Sequence, residues 1–162
     1  MYYNKIRKMD IANGPGVRVS IFFQGCSFHC NGCFNPETWN FDIGKEFTDE
    51  VITHILELCK PNYISGLSIL GGEPLHPKNI SGCLKLVKSF KKTFPDKTIW
   101  LWTGFNFEDV KNKEVLKYID VLIDGQFKKD LYNPSLKWKG SSNQRVIDIQ
   151  KSFNSDIILY RD

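Results

Sequence analysis

No stretch of this chain approaches the ~18 consecutive apolar residues of a membrane span, and the amino terminus, M-Y-Y-N-K-I-R-K-M-D, has no apolar run of signal-peptide length. Both absences point to a cytosolic protein that does not engage a membrane. Fused basic tracts are missing too: Lys88, Lys91, Lys92, Lys128, Lys129, Lys137 and Lys139 lie among acidic neighbours, and the formal net charge is only +4. That pattern describes a solvated face, so direct nucleic-acid binding is not expected. Residues 140–145, G-S-S-N-Q-R, lack the Gly-Lys-Ser/Thr ending of a phosphate loop, which argues against nucleoside triphosphate binding. Internal repeats, low-complexity tracts and linkers are absent. At 162 residues the chain is too short for a closed eight-stranded α/β barrel of ~250. A single domain over 1–162 with a sizeable core is expected, and any barrel in it must be partial.

Cysteine is scarce and unevenly placed. Of five cysteines, Cys26, Cys30 and Cys33 fall within eight residues, C-S-F-H-C-N-G-C. An odd number, with three crowded together, argues against a secreted disulfide framework and for thiol–metal chemistry in a reducing compartment. The C-x3-C-x2-C spacing makes a soft-ligand claw on a turn. Structural zinc takes four protein ligands and a 4Fe-4S cluster has four irons, so three thiolates leave one position open. No further cysteine lies between Cys33 and Cys59, whereas a simple electron carrier supplies its fourth thiolate nearby. A zinc knuckle completed by His29 or a distant cysteine is the alternative reading of the spacing; otherwise His29 is a surface residue of the turn. Cys59 and Cys83 fall on apolar helical stripes and read as buried small hydrophobes.

The remaining pattern alternates strands with helices. Residues 2–11 are too irregular to read beyond a short edge strand, and Asn13-Gly14-Pro15-Gly16 is a turn. Val17–Phe23 is β-branched and aromatic and forms the first clear strand, from which the cysteine claw departs. Residues 34–47 read as an irregular loop. Thr48 caps a helix that Pro61 stops. A strand over 67–70 ends in Gly71-Gly72-Glu73-Pro74, a helix covers 79–94, a strand covers 98–103, a helix 107–118, and a strand 121–125. Residues 126–142 are loop-like, 144–149 form a short strand or turn, and 157–160 a terminal strand. A parallel α/β sheet with right-handed crossovers follows. In such sheets ligands bind beyond the carboxyl ends of the strands, where the claw, Gly71-Gly72-Glu73-Pro74, Thr103-Gly104 and Asp124-Gly125 all fall. The paired glycines there let a ligand approach bare backbone. Asp124-Gly125 is read equally as a turn or as part of the site, and Arg18 as pairing with a surface acid. Trp100, Trp102 and Phe107 are read as packing residues.

The claw after the first strand, with Gly71-Gly72-Glu73-Pro74 after the second, resembles the radical S-adenosylmethionine superfamily. Asn13-Gly14-Pro15-Gly16-Val17-Arg18 and Phe22-Phe23-Gln24-Gly25-Cys26 resemble its glycyl-radical activating enzymes. The stretch from Lys139 to Asp148, with the short length, is similar to the group that activates anaerobic ribonucleotide reductase. The resemblance implies a partial parallel β/α barrel in which Cys26, Cys30 and Cys33 hold three irons of a 4Fe-4S cluster. S-adenosylmethionine would chelate the fourth iron through its amino and carboxylate groups, with the ammonium at Gly71, Gly72, Glu73 and Pro74. An electron from an external one-electron reductant such as flavodoxin would then cleave the sulfonium. The resulting 5'-deoxyadenosyl radical would take hydrogen from a glycine of the catalytic subunit of the reductase. Many members carry an aromatic residue just before the third cysteine, where it borders the adenine. Gly32 stands there in this chain, and Phe34 is the nearby substitute. An activase of another glycyl-radical enzyme, such as pyruvate formate-lyase, and a non-enzymatic iron-sulfur or zinc protein are the other readings.

Overall fold

The computed structural model describes residues 1–153 and 156–162. Strand β1, Tyr2–Asp10, pairs antiparallel with β2, Val17–Phe23, across the 11–16 turn. It runs nine residues, longer than a short edge strand, because it is held on both sides: the two-residue β3, Lys45–Glu46, lies on its other flank. Thr48 caps α1, Asp49–Leu58, its hydroxyl accepting from the Val51 N–H at 3.4 Å. Strand β4, Ile64–Gly71, extends below the apolar run at 67–70 because its pairing with β2 continues down to Val17. Helix α2, Ile80–Thr93, and strand β5, Thr98–Trp102, fall where the sequence places them.

The helix expected over 107–118 divides into a one-turn α3, Phe107–Val110, and a 3-10 turn, Glu114–Tyr118. The break is a turn in which the Lys113 N–H donates to the Val110 carbonyl at 2.8 Å. Strand β6, Val121–Asp124, is followed by a long loop, then β7, Arg145–Asp148, and α4, Ile149–Ser152. The terminal strand expected at 157–160 amounts to one bridge between Leu159 and Ile147.

These strands form one open seven-stranded sheet in the order β3-β1-β2-β4-β5-β6-β7. β2, β4, β5 and β6 are parallel, while β1, β3 and β7 are antiparallel to their neighbours. The all-parallel expectation therefore holds for the strands joined through helices and fails at the flanks. A parallel pair needs a long crossover, whereas β1 reaches β2 through a tight turn that permits only the antiparallel return.

Alternation along the strands separates two faces. Val19, Ile21 and Phe23 join Leu67, Ile69 and the buried stripes of α1 and α2 in one continuous core that includes Cys59 and Cys83. On the opposite face, Trp100, Val121 and Ile123 pack with Trp102, Trp138 and Tyr160. Trp100 and Phe107 are packing residues as read; Trp102 is half-buried, and its indole N–H donates to the Trp138 carbonyl at 2.8 Å. Among the described residues no helix is long and apolar enough to cross a membrane.

Arg18 overturns its reading as a surface cation, because it is fully buried. A guanidinium has five N–H donors, and each has a neutral acceptor. Nε donates to Ser68 Oγ at 2.8 Å, Nη1 to Thr98 Oγ1 at 3.0 Å and Pro15 O at 3.4 Å, and Nη2 to Leu67 O at 3.0 Å and Thr98 O at 2.9 Å. Burial lowers its pKa to about 10, which leaves it charged at neutral pH. The side chain thus ties β2, β4, β5 and the 11–16 turn together at one point.

Candidate functional site

β2 and β4 run parallel with Phe23 opposite Gly71, so the segments leaving their carboxyl ends begin as neighbours. The pairing continues beyond the strands: the Gly72 N–H donates to Phe23 O and the Glu73 N–H to Gly25 O, both at 2.8 Å. Gly71 sits at φ +109°, and a Cβ on Gly72 would overlap the Gly25 carbonyl. This close approach requires glycine at both positions. On its other side the cysteine loop is held by the 36–39 segment, with the Gly25 N–H on Thr38 O at 2.7 Å and the Cys26 N–H on Trp39 O at 3.1 Å. His29 is an exposed residue of the turn, as read, and stacks on Trp39 with ring centroids 4.5 Å apart.

Cys26, Cys30 and Cys33 are half-buried free thiols that line one cavity of about 540 Å³, a size ordinary for a small-molecule site. The Asn35 N–H donates to Cys33 Sγ at 3.4 Å, and the main-chain amides of Phe28 and His29 near Cys26 and of Phe127 near Cys30 act to lower the pKa of those thiols. Burial raises the pKa of Cys26 and Cys30, and these amides oppose the rise. At Cys26 and Cys30 burial outweighs these amides, so both thiols are raised on balance; the thiolate is the form that binds metal. Among the described residues no group of three or more His, Cys, Asp or Glu side chains is gathered around the position of a single metal ion. A cubane sets no such requirement, since each thiolate binds a different iron. Three free thiols on one short loop, all lining one cavity, are the soft donor set that a cubane takes. Cys59 and Cys83 are fully buried in the apolar core, with the Cys59 thiol pushed up to about 12 and Cys83 raised further by its burial.

Gly71, Gly72 and Glu73 line the same cavity; Pro74 is buried and does not. Glu73 is 1% exposed, and its carboxylate accepts from Thr103 Oγ1 at 2.6 Å, the Gly104 N–H at 2.7 Å and the Leu75 N–H at 3.0 Å. Its side chain thus fastens the β4 exit to the β5 exit, and what the loop turns to the cavity beside it is glycine backbone. Gly32 does not line the cavity, and a Cβ there would meet Phe127 and Lys129 at 3.4 Å. Phe34 does line it, although the residue is 61% exposed, and its ring lies 4.9 Å from Phe127 and 5.8 Å from Tyr132.

Glu73 gives the protein a pH signature. Burial raises its pKa from an ordinary 4.5 to about 7, against the three hydrogen bonds that lower it. The folded state therefore holds the proton more tightly than the unfolded chain. This contribution is fully present below pH 4.5 and is lost as pH rises through 7. Urea unfolding of cluster-free protein should show roughly 3 kcal/mol of stability lost across that interval through this group. Glu73→Gln should flatten that part of the profile; parallel profiles for the two proteins would contradict the assignment.

The far wall comes from residues the sequence marked only in part. Gly125 and Gln126 follow β6, and Gly140 and Gln144 come from the long loop before β7. Gln144 pins that loop: its Nε2 donates to Gly125 O at 2.9 Å, and its Oε1 accepts from the Gly140 N–H at 3.0 Å and the Ser141 N–H at 3.2 Å. Asp124, read as either turn or site, is buried and structural. It accepts from the Phe107 N–H at 2.8 Å and from Arg145, which also forks onto Glu108 at 2.8 and 3.0 Å. Asn79, read only as a helix start, is 1% exposed behind the two loops. Its role carries no signal in the sequence, because asparagine is an ordinary residue at that position.

Residues 12–147 match the family described as a 4Fe-4S single cluster domain. The chain is 46% identical over 146 residues to the anaerobic ribonucleoside-triphosphate reductase-activating protein of Enterobacteria phage T4, covering 90% of this chain and 93% of that one. It is 42% identical to the protein of that name from Vibrio cholerae and 41% identical to that from Escherichia coli K12, each over 150 residues, 90% of this chain and 97% of the relative. Similarity of this extent, over a site built as described, means that the chain belongs to the family of anaerobic ribonucleoside-triphosphate reductase-activating proteins, with its 4Fe-4S single cluster domain.

Proposed function

We propose that this protein is an oxidoreductase that activates the catalytic subunit of an anaerobic ribonucleotide reductase by reductive cleavage of S-adenosylmethionine. It would do so in the cytoplasm, within a single radical S-adenosylmethionine domain over 1–162 whose open sheet serves as the partial barrel. The observation that carries the reading is the shared cavity: three thiols and the bare backbone of Gly71 and Gly72 face one space. Cys26, Cys30 and Cys33 would each hold one iron, leaving the fourth for the amino and carboxylate groups of S-adenosylmethionine. The chemistry supplied by that pair when bound is one-electron cleavage of the sulfonium to methionine and a 5'-deoxyadenosyl radical, which takes hydrogen from a glycine of the reductase.

The protein's own residues contribute position and shielding. The amides of Phe28 and His29 near Cys26 and of Phe127 near Cys30 offset part of the cost of burying charge on those sulfurs, and the Asn35 N–H donates to Cys33 Sγ. Glu73 is occupied with Thr103 and Gly104, so the ammonium of the cofactor is left to the main chain of the 71–74 loop, with Pro74 fixing the backbone beyond it. Phe34, Phe127 and Tyr132 give the mouth an aromatic edge against which an adenine can lie. Gly32, at φ +76°, supplies the left-handed turn between Cys30 and Cys33 beside Phe127 and Lys129. An external one-electron reductant such as flavodoxin would supply the electron.

Anaerobically reconstituted protein reduced with dithionite should form 5'-deoxyadenosine from S-adenosylmethionine. Mixing it with the reductase should produce a glycyl signal in electron paramagnetic resonance (EPR). Cluster-loaded protein that binds S-adenosylmethionine and never cleaves it, even with the reductase present, would refute the reading. A glycyl signal on pyruvate formate-lyase and none on the reductase would transfer the activity to another partner.

A further inference from the structure

We infer that Asn79 is a positioning residue that sets the spacing between the cysteine loop and the glycine loop, and so determines how tightly S-adenosylmethionine bridges them. The inference rests on the proposed function above. Asn79 directly precedes α2, where asparagine ordinarily turns its side-chain oxygen onto the first free N–H groups of the helix. Here it makes no side-chain cap bond. Its Nδ2 donates instead to three main-chain carbonyls: Glu73 O at 3.0 Å, Gln24 O at 3.2 Å and Gly25 O at 3.4 Å. Two of these oxygens belong to the residues just before Cys26, and the third lies within the 71–74 loop.

The arrangement is specific to an amide nitrogen. Three carbonyl oxygens pointing at one place repel one another, and a group with two N–H donors at the centre removes the repulsion. Gly25 O also accepts the Glu73 N–H at 2.8 Å, so main chain and side chain fix the same junction. The site is enclosed, since Asn79 is 1% exposed and Gln24 is fully buried, so removing the amide takes from these carbonyls a side-chain donor at a place shielded from bulk solvent. The helix thus forgoes a cap to join the two loops.

A ligand held at both ends is sensitive to the distance between them. In the proposed site the iron end is placed by Cys26, Cys30 and Cys33, and the ammonium end by the 71–74 loop. An error of about 1 Å between two such anchors can cost on the order of 10²-fold. Asn79 touches neither the thiols nor the cavity, so its loss should weaken binding of the cofactor without removing a cluster ligand.

The test uses the reconstituted, reduced full-length protein and follows the EPR signal of its cluster as S-adenosylmethionine is added. Asn79→Asp puts a carboxylate oxygen against the three carbonyls, Asn79→Ala removes the donor, and Asn79→Ser keeps one. Iron and sulfide content should stay at the wild-type level in all three. The concentration of S-adenosylmethionine that half-converts the signal should rise at least ~10-fold in Asn79→Asp and Asn79→Ala, and less in Asn79→Ser. The KM for S-adenosylmethionine should rise in the same order, with kcat changing less. Unshifted half-conversion in Asn79→Asp and Asn79→Ala would overturn the inference. So would iron loss that tracks a lowered thermal midpoint while the loaded fraction binds as wild type, because the residue would then serve stability alone. A wild-type cluster indifferent to S-adenosylmethionine would overturn the proposed function, and this inference with it, whereas a responsive wild type with unshifted variants overturns this inference only.

Discussion

Replacing Cys26, Cys30 or Cys33 singly by alanine is expected to abolish stable cluster assembly and to reduce S-adenosylmethionine cleavage by on the order of 10³-fold or more. Changes to groups behind a metal ligand already cost ~10–100-fold, and loss of a ligand itself must exceed that. No spare thiol lies within reach, since Cys59 and Cys83 are enclosed in the apolar core. Cys59→Ala and Cys83→Ala should therefore keep the wild-type content of iron and sulfide while losing only the packing of a small buried side chain, about 1–2 kcal/mol. His29→Ala should keep its iron as well. That variant separates the cluster from a zinc knuckle, for which His29 would be the fourth ligand. Full iron content and activity in any one of the three claw variants would show that the thiol in question is not a ligand.

Arg18→Lys and Arg18→Met are expected to destabilise the cluster-free protein by about 3–5 kcal/mol, although neither touches the cavity. The guanidinium serves five acceptors contributed by β4, β5 and the 11–16 turn. An ammonium has three donors at a single point and cannot reach them all. Methionine fills the space and leaves every one of those oxygens without this donor. With total stability of ~5–15 kcal/mol, a loss of this size should lower the thermal midpoint by about 10 °C or more. Circular dichroism melts would measure it. A midpoint for Arg18→Lys within a degree or two of wild type would mean that charge alone, and not the five-bond fork, holds the strands. The functional consequence is indirect: Arg18 stabilises the base of β2 and β4, the strands whose other ends carry the cysteine and glycine loops.

Much of the site was legible because its chemistry is written in local sequence. The spacing of Cys26, Cys30 and Cys33, and the glycines at 71 and 72, need no distant partner to be noticed: thiols on one turn are candidates for a shared ligand, and paired glycines mark a close backbone approach. The strands at 17–23 and 98–103 and the helices beginning after Thr48 and Asn79 were readable for the same reason. The helix at 107–118 was not, since its apolar residues lie on both sides of a local turn, closed by the Lys113 N–H on the Val110 carbonyl, that hydrophobic spacing does not mark. The antiparallel flanks also escaped, because strand direction is set by how the chain returns, which hydrophobic pattern does not record.

Polar residues mark the boundary most clearly. Arginine, glutamate and asparagine belong on the surface by default, so Arg18 read as the partner of a surface acid, Glu73 only as part of the loop after the second strand, and Asn79 as a helix start. Their burial depends on acceptors and donors far away in the chain: Ser68 and Thr98 for Arg18, Thr103 for Glu73, and Gln24 and Gly25 for Asn79. The sequence by itself determined which groups could meet iron and where along the strands they leave the sheet, because ligand chemistry and turn chemistry act over a few residues. Only the tertiary structure decided that the two loops are fastened to each other, because that depends on hydrogen bonds between segments some fifty residues apart, whose geometry exists only once β2 and β4 lie side by side.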